Sequence, residues 1–191
     1  MCHVLFPSTD PVSAVTLAPN STDLVEFNSS VSLFCSSSGS SRSYLWLNDS
    51  SEVTAGDRVQ IIDGGSTLII VSVTRYDQGP FSCNVSNPVS FKISDKVSFS
   101  ISYGPENVQL DVSPSNEPFK EGSNISMSCS SKSKPSAEFL WFLNGDKLPD
   151  TGSKLSLVDV TSHQSGNYSC QAFNSKTLRY QTSQPSAVFV Y

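Results

Sequence analysis

Hydrophobic and polar residues alternate in short runs along most of this chain of 191 residues. In residues 31–35 and 124–129 every second residue is apolar, which is the period that puts one face of a β-strand into a core. Glycine-rich and asparagine-rich segments, such as residues 63–65 and 144–146, fall between the runs and predict tight turns. The pattern therefore predicts an all-β chain.

One pattern occurs twice along the chain, each time with two cysteines, a tryptophan and an aromatic residue two positions before the second cysteine. A cysteine pair that joins two sheets and packs on a tryptophan is typical of the immunoglobulin-like β-sandwich. The repeat therefore predicts two such sandwiches in tandem. The matched positions are Cys35, Trp46, Leu68, Ile70, Val73, Asp77, Gly79, Phe81 and Cys83, and then Cys129, Trp141, Leu155, Leu157, Val160, Gln164, Gly166, Tyr168 and Cys170.

The repeat and the turn signals divide the chain into segments. We expect residues 1–10 to be a flexible N-terminal segment, residues 11–102 the first domain, residues 103–106 a short linker and residues 107–191 the second domain. Cysteines that are 48 and 41 positions apart leave little room for the two extra strands of a variable-type domain. Both domains should therefore be of the short, constant-like or intermediate type.

The five cysteines make two pairs and one remainder. We predict the disulfides Cys35–Cys83 and Cys129–Cys170, which persist only in an oxidising compartment, so the protein should be secreted or displayed on a cell surface. Cys2 is left over, and it belongs either to a non-native or propeptide end or to an intermolecular disulfide.

Charge and composition narrow the function classes. A net charge of −5 offers no basic surface for nucleic acid. The two histidines, the dispersed carboxylates and the lack of catalytic or phosphate-binding motifs predict no metal, no cofactor and no enzymatic activity. No run of 18 apolar residues occurs, so we expect membrane anchoring only through segments outside this chain.

Six sites fit the acceptor pattern for N-glycosylation. A serine-rich chain also produces such matches by coincidence, but six of them in an extracellular fragment favour modification at several. Strand alternation predicts that the side chains of Asn84, Asn124 and Asn167 point outward. The six sites are Asn20, Asn28, Asn48, Asn84, Asn124 and Asn167.

One charged pair has a predicted structural role. Arg58, at the start of the strand predicted at residues 59–62, should meet Asp77 in the turn before Phe81. The second domain has Gln164 at the position of Asp77, so the pair should be absent there. Phe81 replaces the tyrosine whose hydroxyl closes this corner, whereas Tyr168 retains it.

Several apolar residues should face outward beside the buried tryptophans Trp46 and Trp141. We predict that they form a face for a protein partner, although scattered apolar surface residues also occur without any partner. The candidates are Leu45 and Leu47 in the first domain and Leu140, Phe142 and Phe173 in the second.

A family resemblance adds to this interpretation. Residues 87–90 (Asn-Pro-Val-Ser) and 103–105 (Tyr-Gly-Pro) resemble the end of an A-type domain in the carcinoembryonic-antigen-related cell adhesion molecules, and residues 141–145 and 166–175 resemble the B-type domain of that family. The resemblance implies a glycosylated cell-surface adhesion or recognition protein. Adhesion in that family chiefly uses a variable-type domain, which this chain lacks, so no adhesive residue is carried over.

The sequence thus favours an extracellular fragment for adhesion or recognition that binds a protein, either a second copy of itself or a different partner. The alternatives are the ectodomain of a two-domain immune receptor of the Fc-receptor-like kind and a secreted decoy. A glycan on Asn84 would shade Leu45 and Leu47. We therefore expect a contact of this kind to use the second domain more than the first.

Overall fold

Strands form where alternate side chains can enter a core. The computed structural model describes residues 9–115 and 118–191. In the strand Val31–Ser38 the side chains of Val31, Leu33 and Cys35 are buried, and the residues between them are not. The described chain divides into one unit that ends at Ile101 and another that runs Ser102–Tyr191.

Unit 1 is a sandwich of two antiparallel sheets. One sheet has the strand order β1-β3-β7-β6 and the other β5-β4-β8-β9, and the core residues between them include Trp46, Leu68 and Phe81. Its strands are β1 (Ser13–Pro19), β2 (Asp23–Val25), β3 (Val31–Ser38), β4 (Ser43–Asn48), β5 (Ser51–Val53), β6 (Val59–Ile62), β7 (Thr67–Ile70), β8 (Phe81–Asn87) and β9 (Ser90–Ile93).

Unit 2 is a second sandwich. In it β10 and β14 flank β11, and the other sheet has the order β13-β12-β15-β16, with β17 also paired to β15. Trp141, Met127 and Tyr168 lie in its core. The first two residues of β10 belong to unit 1. The remaining strands are β10 (Ser100–Ser113), β11 (Ile125–Lys134), β12 (Glu138–Leu143), β13 (Asp146–Thr151), β14 (Lys154–Leu157), β15 (Gly166–Asn174), β16 (Arg179–Thr182) and β17 (Ser186–Val188).

The segment that was predicted as a linker is part of a strand. Residues 103–106 lie inside β10, and Tyr103 and Glu106 pair with Lys134 and Lys132 of β11. The register shifts between these two pairs, and Gly104 has a φ of 78° at a point where a Cβ atom would lie 2.4 Å from a backbone oxygen. The Gly-Pro pair of the predicted short linker therefore lies at a bulge in β10.

The predicted N-terminal segment 1–10 lies outside the described residues except for Thr9 and Asp10. Asp10 is fixed, because its amide donates to the Ser40 hydroxyl over 3.1 Å and its carbonyl accepts from Asn87 over 2.7 Å. Ordered structure in unit 1 therefore begins at least one residue before the predicted start of the domain.

Four edge or near-edge strands were missed by the sequence prediction, namely β5, β9, β13 and β16. They carry many polar or exposed residues and bury few side chains, so they lack a clear alternation. Each unit thus gains one strand beside its tryptophan-bearing strand, whereas variable-type domains gain two. The predicted all-β fold of two short tandem sandwiches is confirmed.

Candidate functional site

The two predicted disulfides are confirmed and hold the two sheets of each unit together. The sulfur atoms of Cys35 and Cys83 are 1.99 Å apart, and those of Cys129 and Cys170 are 1.95 Å apart. All four cysteines are buried. Cys2 lies outside the described residues.

Both tryptophans are held in the core by the same kind of bond. The indole N–H of Trp46 donates to the carbonyl of Gly65 over 2.7 Å, and that of Trp141 donates to Gly152 over 2.8 Å. Because the tryptophans point inward, their neighbours along β4 and β12 point to the outer side of the sheet.

The outer side of the sheet β5-β4-β8-β9, which we call the front face of unit 1, carries hydrophobic side chains around Asn84. Leu45 on β4 and Ile93 on β9 are the ladder partners of Asn84. Phe91 lies two residues from Ile93, on the same side of β9. The exposed fractions of Leu45, Ile93 and Phe91 are 38%, 54% and 68%, whereas Leu47 is half-buried. The sequence prediction missed Phe91 and Ile93 because it did not recognise β9.

The outer side of the sheet β13-β12-β15-β16, the front face of unit 2, contains the other predicted candidates. Leu140, Phe142 and Phe173 are half-buried, and Tyr180 on β16 is 60% exposed. The rings of Phe173 and Tyr180 stack with their centroids 4.4 Å apart. Tyr180 was not predicted, since its strand is polar apart from this one residue.

A cleft of about 660 Å³ lies beside Leu140 at one end of this face. It gives the front face of unit 2 a concave part beside Leu140. Its lining residues are Ser136, Ala137, Glu138, Phe139, Leu140, Thr151, Gly152 and Ser153.

The six acceptor asparagines differ in exposure. Asn20, Asn28, Asn124 and Asn167 are exposed, whereas Asn48 and Asn84 are half-buried. Asn84 Oδ1 is the only buried side-chain oxygen or nitrogen without a hydrogen-bond partner in residues 9–115 and 118–191. Asn167 lies on β15 six residues before Phe173, about 20 Å along the strand, so it is at the far end of its face.

Arg58 and Asp77 meet as the sequence suggested. Arg58 Nη1 donates to Asp77 Oδ2 over 2.9 Å, and the backbone amide of Thr74 donates to the same oxygen over 2.7 Å. Burial raises the pKa of Asp77, but the hydrogen bonds from Arg58 and Thr74 outweigh it and hold the pKa below its ordinary value. The pair fixes the turn before β8.

A second ion pair in unit 1 was not predicted. The Arg75 guanidinium donates to both carboxylate oxygens of Glu26, over 2.9 and 2.6 Å, and the Arg75 amide donates to Oε1 over 3.0 Å. The side chains are only 12% and 2% exposed. Unit 2 has a related contact, since Glu121 accepts from the Ser162 amide over 2.9 Å and this bond lowers the pKa of Glu121. Arg75 and Ser162 each stand eight residues before the second cysteine of their unit. This equal spacing within the repeat could have pointed to the two related contacts.

Gln164 and Tyr168 fix the corresponding turn of unit 2 with uncharged hydrogen bonds, where unit 1 uses the ion pair of Arg58 and Asp77. The Tyr168 hydroxyl donates to the carbonyl of Gln164 over 2.8 Å, and Gln164 and Thr161 form a reciprocal capping box. Burial raises the pKa of Tyr168. Phe81 has no hydroxyl and instead packs against Phe99, with 5.7 Å between ring centroids.

Two asparagines that follow the second cysteine by four positions hold the hairpin turns after β8 and β15. Asn87 donates to the carbonyls of Asp10 and Ser40 and accepts from the amide of Ser90. Asn174 is fully buried, and its Nδ2 atom, which has two N–H donors, lies 2.8 to 3.3 Å from four acceptor oxygens. Its Oδ1 atom accepts from the amides of Lys176 and Thr177. The equal spacing from Cys83 and Cys170 could have revealed this role in the sequence.

No group of three or more potential metal ligands occurs in the residues that the structure describes. His163 is exposed in a 3-10 turn, as expected for a loop residue, and His3 lies outside the described residues. Within the same described ranges, no helix is long and apolar enough to span a membrane.

Comparison with known proteins identifies the family. Residues 14–87 and 108–174 match the family model of the immunoglobulin domain. Because the two matches cover more than half of the chain, the chain belongs to the immunoglobulin domain family.

Solved structures share the fold at low sequence identity. The N-terminal four Ig domains of Dscam1 isoform 6.9 match with a TM-score of 0.55 and 19% identity over 97% of this chain and 47% of that one. The full ectodomain of mouse nectin-like molecule 4 matches with a TM-score of 0.59 and 19% identity over 96% and 65%. The chain thus spans about half to two thirds of the proteins it matches. Disulfide-bonded tandem domains of this fold are typical of extracellular adhesion and recognition proteins, and they are typically non-enzymatic.

Proposed function

We propose that this chain is the adhesion or recognition part of a glycosylated cell-surface protein and that it binds a protein partner through the front face of unit 2. The observation that supports this most is the cluster of Leu140, Phe142, Phe173 and Tyr180 on one outer sheet face, beside a cleft. A contiguous apolar surface with a polar surrounding is a common feature of protein interaction sites.

The front face of unit 1 is a weaker candidate for such a contact. Its acceptor site Asn84 stands between Leu45 and Ile93, in the middle of the hydrophobic surface, whereas Asn167 stands at the far end of the face of unit 2. A bulky glycan on Asn84 would prevent close approach of another sheet. This difference favours unit 2, with Leu45 and Leu47 as secondary candidates.

The estimated free energy of binding favours a contact that is weak between single chains and effective when many chains act together. Burying two fully exposed apolar side chains would contribute about 3–6 kcal/mol. Phe142 is half-buried and Tyr180 is 60% exposed, so this pair would contribute less, and association costs at least as much. One pair of chains would therefore hold poorly, and many pairs between two cells would hold through avidity. A second copy of the chain and a different surface protein both fit this chemistry, and the partner determines whether adhesion is homophilic or heterophilic.

Aggregation of beads that carry the glycosylated chain tests this proposal. We expect Phe142→Asp, and Tyr180→Ser at a more exposed position, to reduce aggregation. Leu45→Asp on unit 1 and Val158→Asp, at a residue that is 70% exposed outside both front faces, should leave it unchanged. Circular dichroism of each variant confirms folding. The proposal fails if Leu45→Asp abolishes aggregation while both changes on unit 2 leave it intact.

If beads of the parent chain do not aggregate, the contact is heterophilic. Capture of cell-surface proteins by the parent chain, compared with Tyr180→Ser, then tests the same face. Equal capture by the two would contradict the assignment to unit 2.

A further inference from the structure

The front face of unit 1 contains an acceptor asparagine at the centre of its hydrophobic surface. Asn84 is flanked across the sheet by Leu45 on one side and by Ile93 on the other. Phe91 is the ladder partner of Ser86 and lies on the same outer side, so it is the diagonal neighbour of Asn84. Diagonal neighbours on adjacent strands are within reach of aromatic side chains and other large groups.

The room around Asn84 is unequal along β8. Ser82, the next outward residue in one direction, is only 2% exposed, so the surface there is already covered. In the other direction Ser86 is half-buried, and Phe91 beside it is 68% exposed. A group attached to Asn84 therefore has space on the side of Phe91 and Ile93.

The side chain of Asn84 also has an acceptor atom without a hydrogen-bond donor. Its Oδ1 atom is buried and has no partner in the described parts of the chain. A buried acceptor without a donor destabilises the folded chain. A sugar attached to the same side chain brings hydroxyl and acetamido N–H donors to this place.

We infer that Asn84 carries an N-linked glycan whose first N-acetylglucosamine packs on Phe91 and Ile93 and covers the front face of unit 1. The modification joins Asn84 Nδ2 to C1 of the sugar. The bond from C1 to a lipid-diphosphate carrier breaks, and the amide nitrogen loses one proton. The C–H face of the pyranose ring then lies against the Phe91 ring, where dispersion and removal of apolar surface from water favour contact.

This arrangement gives the glycan a role in the fold and does not depend on which partner unit 2 binds. The exposed Phe91 and Ile93 would be an aggregation hazard on an edge strand, and the sugar removes them from water. The occupant of the hydrophobic surface of unit 1 is thus its own carbohydrate.

The first test compares unfolding of unit 1 with and without the glycan, using the full chain from a glycosylating host. Mass spectrometry first measures occupancy of Asn84. Ser86→Ala removes this acceptor site without changing Asn84, and Thr22→Ala, which removes the exposed site at Asn20 in the same unit, is the matched control. Hydrogen exchange of β4 and β8 then gives the equilibrium constant for unfolding.

We expect loss of the Asn84 glycan to raise the unfolding constant roughly fivefold, which is the scale of one aromatic contact, and Thr22→Ala to change it less than about twofold. In a Phe91→Ala background the Ser86→Ala effect should fall below about twofold. In a Val89→Ala background, with another exposed residue of the same unit, it should persist. Trimming the glycan to one N-acetylglucosamine should keep the full effect.

A direct readout separates packing from a general effect of glycosylation. Protons of the first sugar on Asn84 should show ring-current shifts in NMR spectra that disappear in Phe91→Leu. Asn84 unoccupied in the mature protein, or a glycan effect of equal size with and without the Phe91 ring, overturns the inference.

Discussion

The two units fix the same turn, the one before β8 and β15, with different chemistry. Unit 1 uses charge, through Arg58–Asp77 and the buried Arg75–Glu26 pair. Unit 2 uses the Tyr168 hydroxyl and the neutral capping box of Gln164. The fold therefore requires that the turn be held but does not specify how.

The two units also differ in the residue that follows Glu26 in unit 1 and Glu121 in unit 2, the glutamates that accept from a backbone amide of this turn. Phe27 follows Glu26 with a φ of 63°, and Gly122 follows Glu121 with a φ of 83°. In both units the amide of this residue donates to a valine carbonyl, over 2.7 Å to Val73 and 2.8 Å to Val160. Unit 2 places the residue best suited to a left-handed conformation there, whereas unit 1 has a phenylalanine under strain.

The largest expected effect comes from removing the cation of the buried pair. Arg75→Met should destabilise unit 1 by about 3–5 kcal/mol, because it leaves the Glu26 carboxylate buried without its cation. Arg58→Met, which breaks the more exposed pair, should cost less than about 1 kcal/mol. Urea unfolding, with hydrogen exchange to assign the change to unit 1, measures both. Equal small losses for the two variants would contradict the contrast.

The next effect concerns the asparagines of the hairpin turns. Asn174→Ala should cost unit 2 about 1–3 kcal/mol, since the Asn174 side chain is fully buried and its loss leaves the groups it bonds without their partner. Asn87→Ala should cost unit 1 less, because Asn87 is half-buried and water can replace part of its bonding. Denaturant unfolding of the two variants checks this order, and a larger loss for Asn87→Ala would reverse it.

Substitutions of Phe27 in unit 1 and of Gly122 in unit 2 should change stability in opposite directions. Gly122→Ala should destabilise unit 2 by about 1–2 kcal/mol, the cost of a left-handed residue with a side chain. Phe27→Gly should stabilise unit 1, by less than that because the flexible glycine also favours the unfolded chain. Thermal unfolding tests both changes. A Phe27→Gly variant that unfolds more easily would mean that the Phe27 side chain contributes more than its strain costs.

Tyr168→Phe should destabilise unit 2 by about 1 kcal/mol, because the hydroxyl bond to the Gln164 carbonyl is lost. The reciprocal Phe81→Tyr should stabilise unit 1 by up to about the same amount, with the carbonyl of Asp77 at the matching position four residues upstream. Melting curves of both variants measure the pair of effects. No change in either would show that this corner is held by its other bonds alone.

The smallest effect is a dependence on pH. In the folded state the pKa of Asp77 is below its ordinary value of 3.8. The stabilisation that ionised Asp77 gives to the folded state is therefore fully present above pH 3.8 and is lost as the pH falls through the lowered pKa. Asp77→Asn should therefore weaken unit 1 at pH 7 by less than about 1 kcal/mol and reduce its loss of stability below pH 3.8. Asp95→Asn at an exposed residue is the control, and an acid response unchanged by Asp77→Asn would refute the assignment.

Much of the fold could be predicted from the chain because burial leaves a pattern. Alternation before Cys35 and Cys129, the paired tryptophans and the Asn-Gly turn, where Asn144 and Gly145 have φ of 51° and 86°, all specify local structure directly. The edge strands β9 and β16 left no such pattern, since their pairing is provided by the neighbouring strand. The Gly-Pro pair of residues 104–105 did not reveal that β10 includes it, because such a pair is compatible with a bulge as well as with a turn.

The sequence by itself determined the class of the protein, since cysteine spacing, tryptophan position and period-two patterning each report on burial along a single strand. Only the tertiary structure decided which outward side chains lie together on each front face. Phe91 and Ile93 meet Asn84, and Tyr180 meets Phe173, across strands that are distant or weakly patterned in the sequence. The buried pair of Glu26 and Arg75 joins residues 49 positions apart. Contacts of this kind depend on pairing register and chain path, which no local pattern of residues encodes.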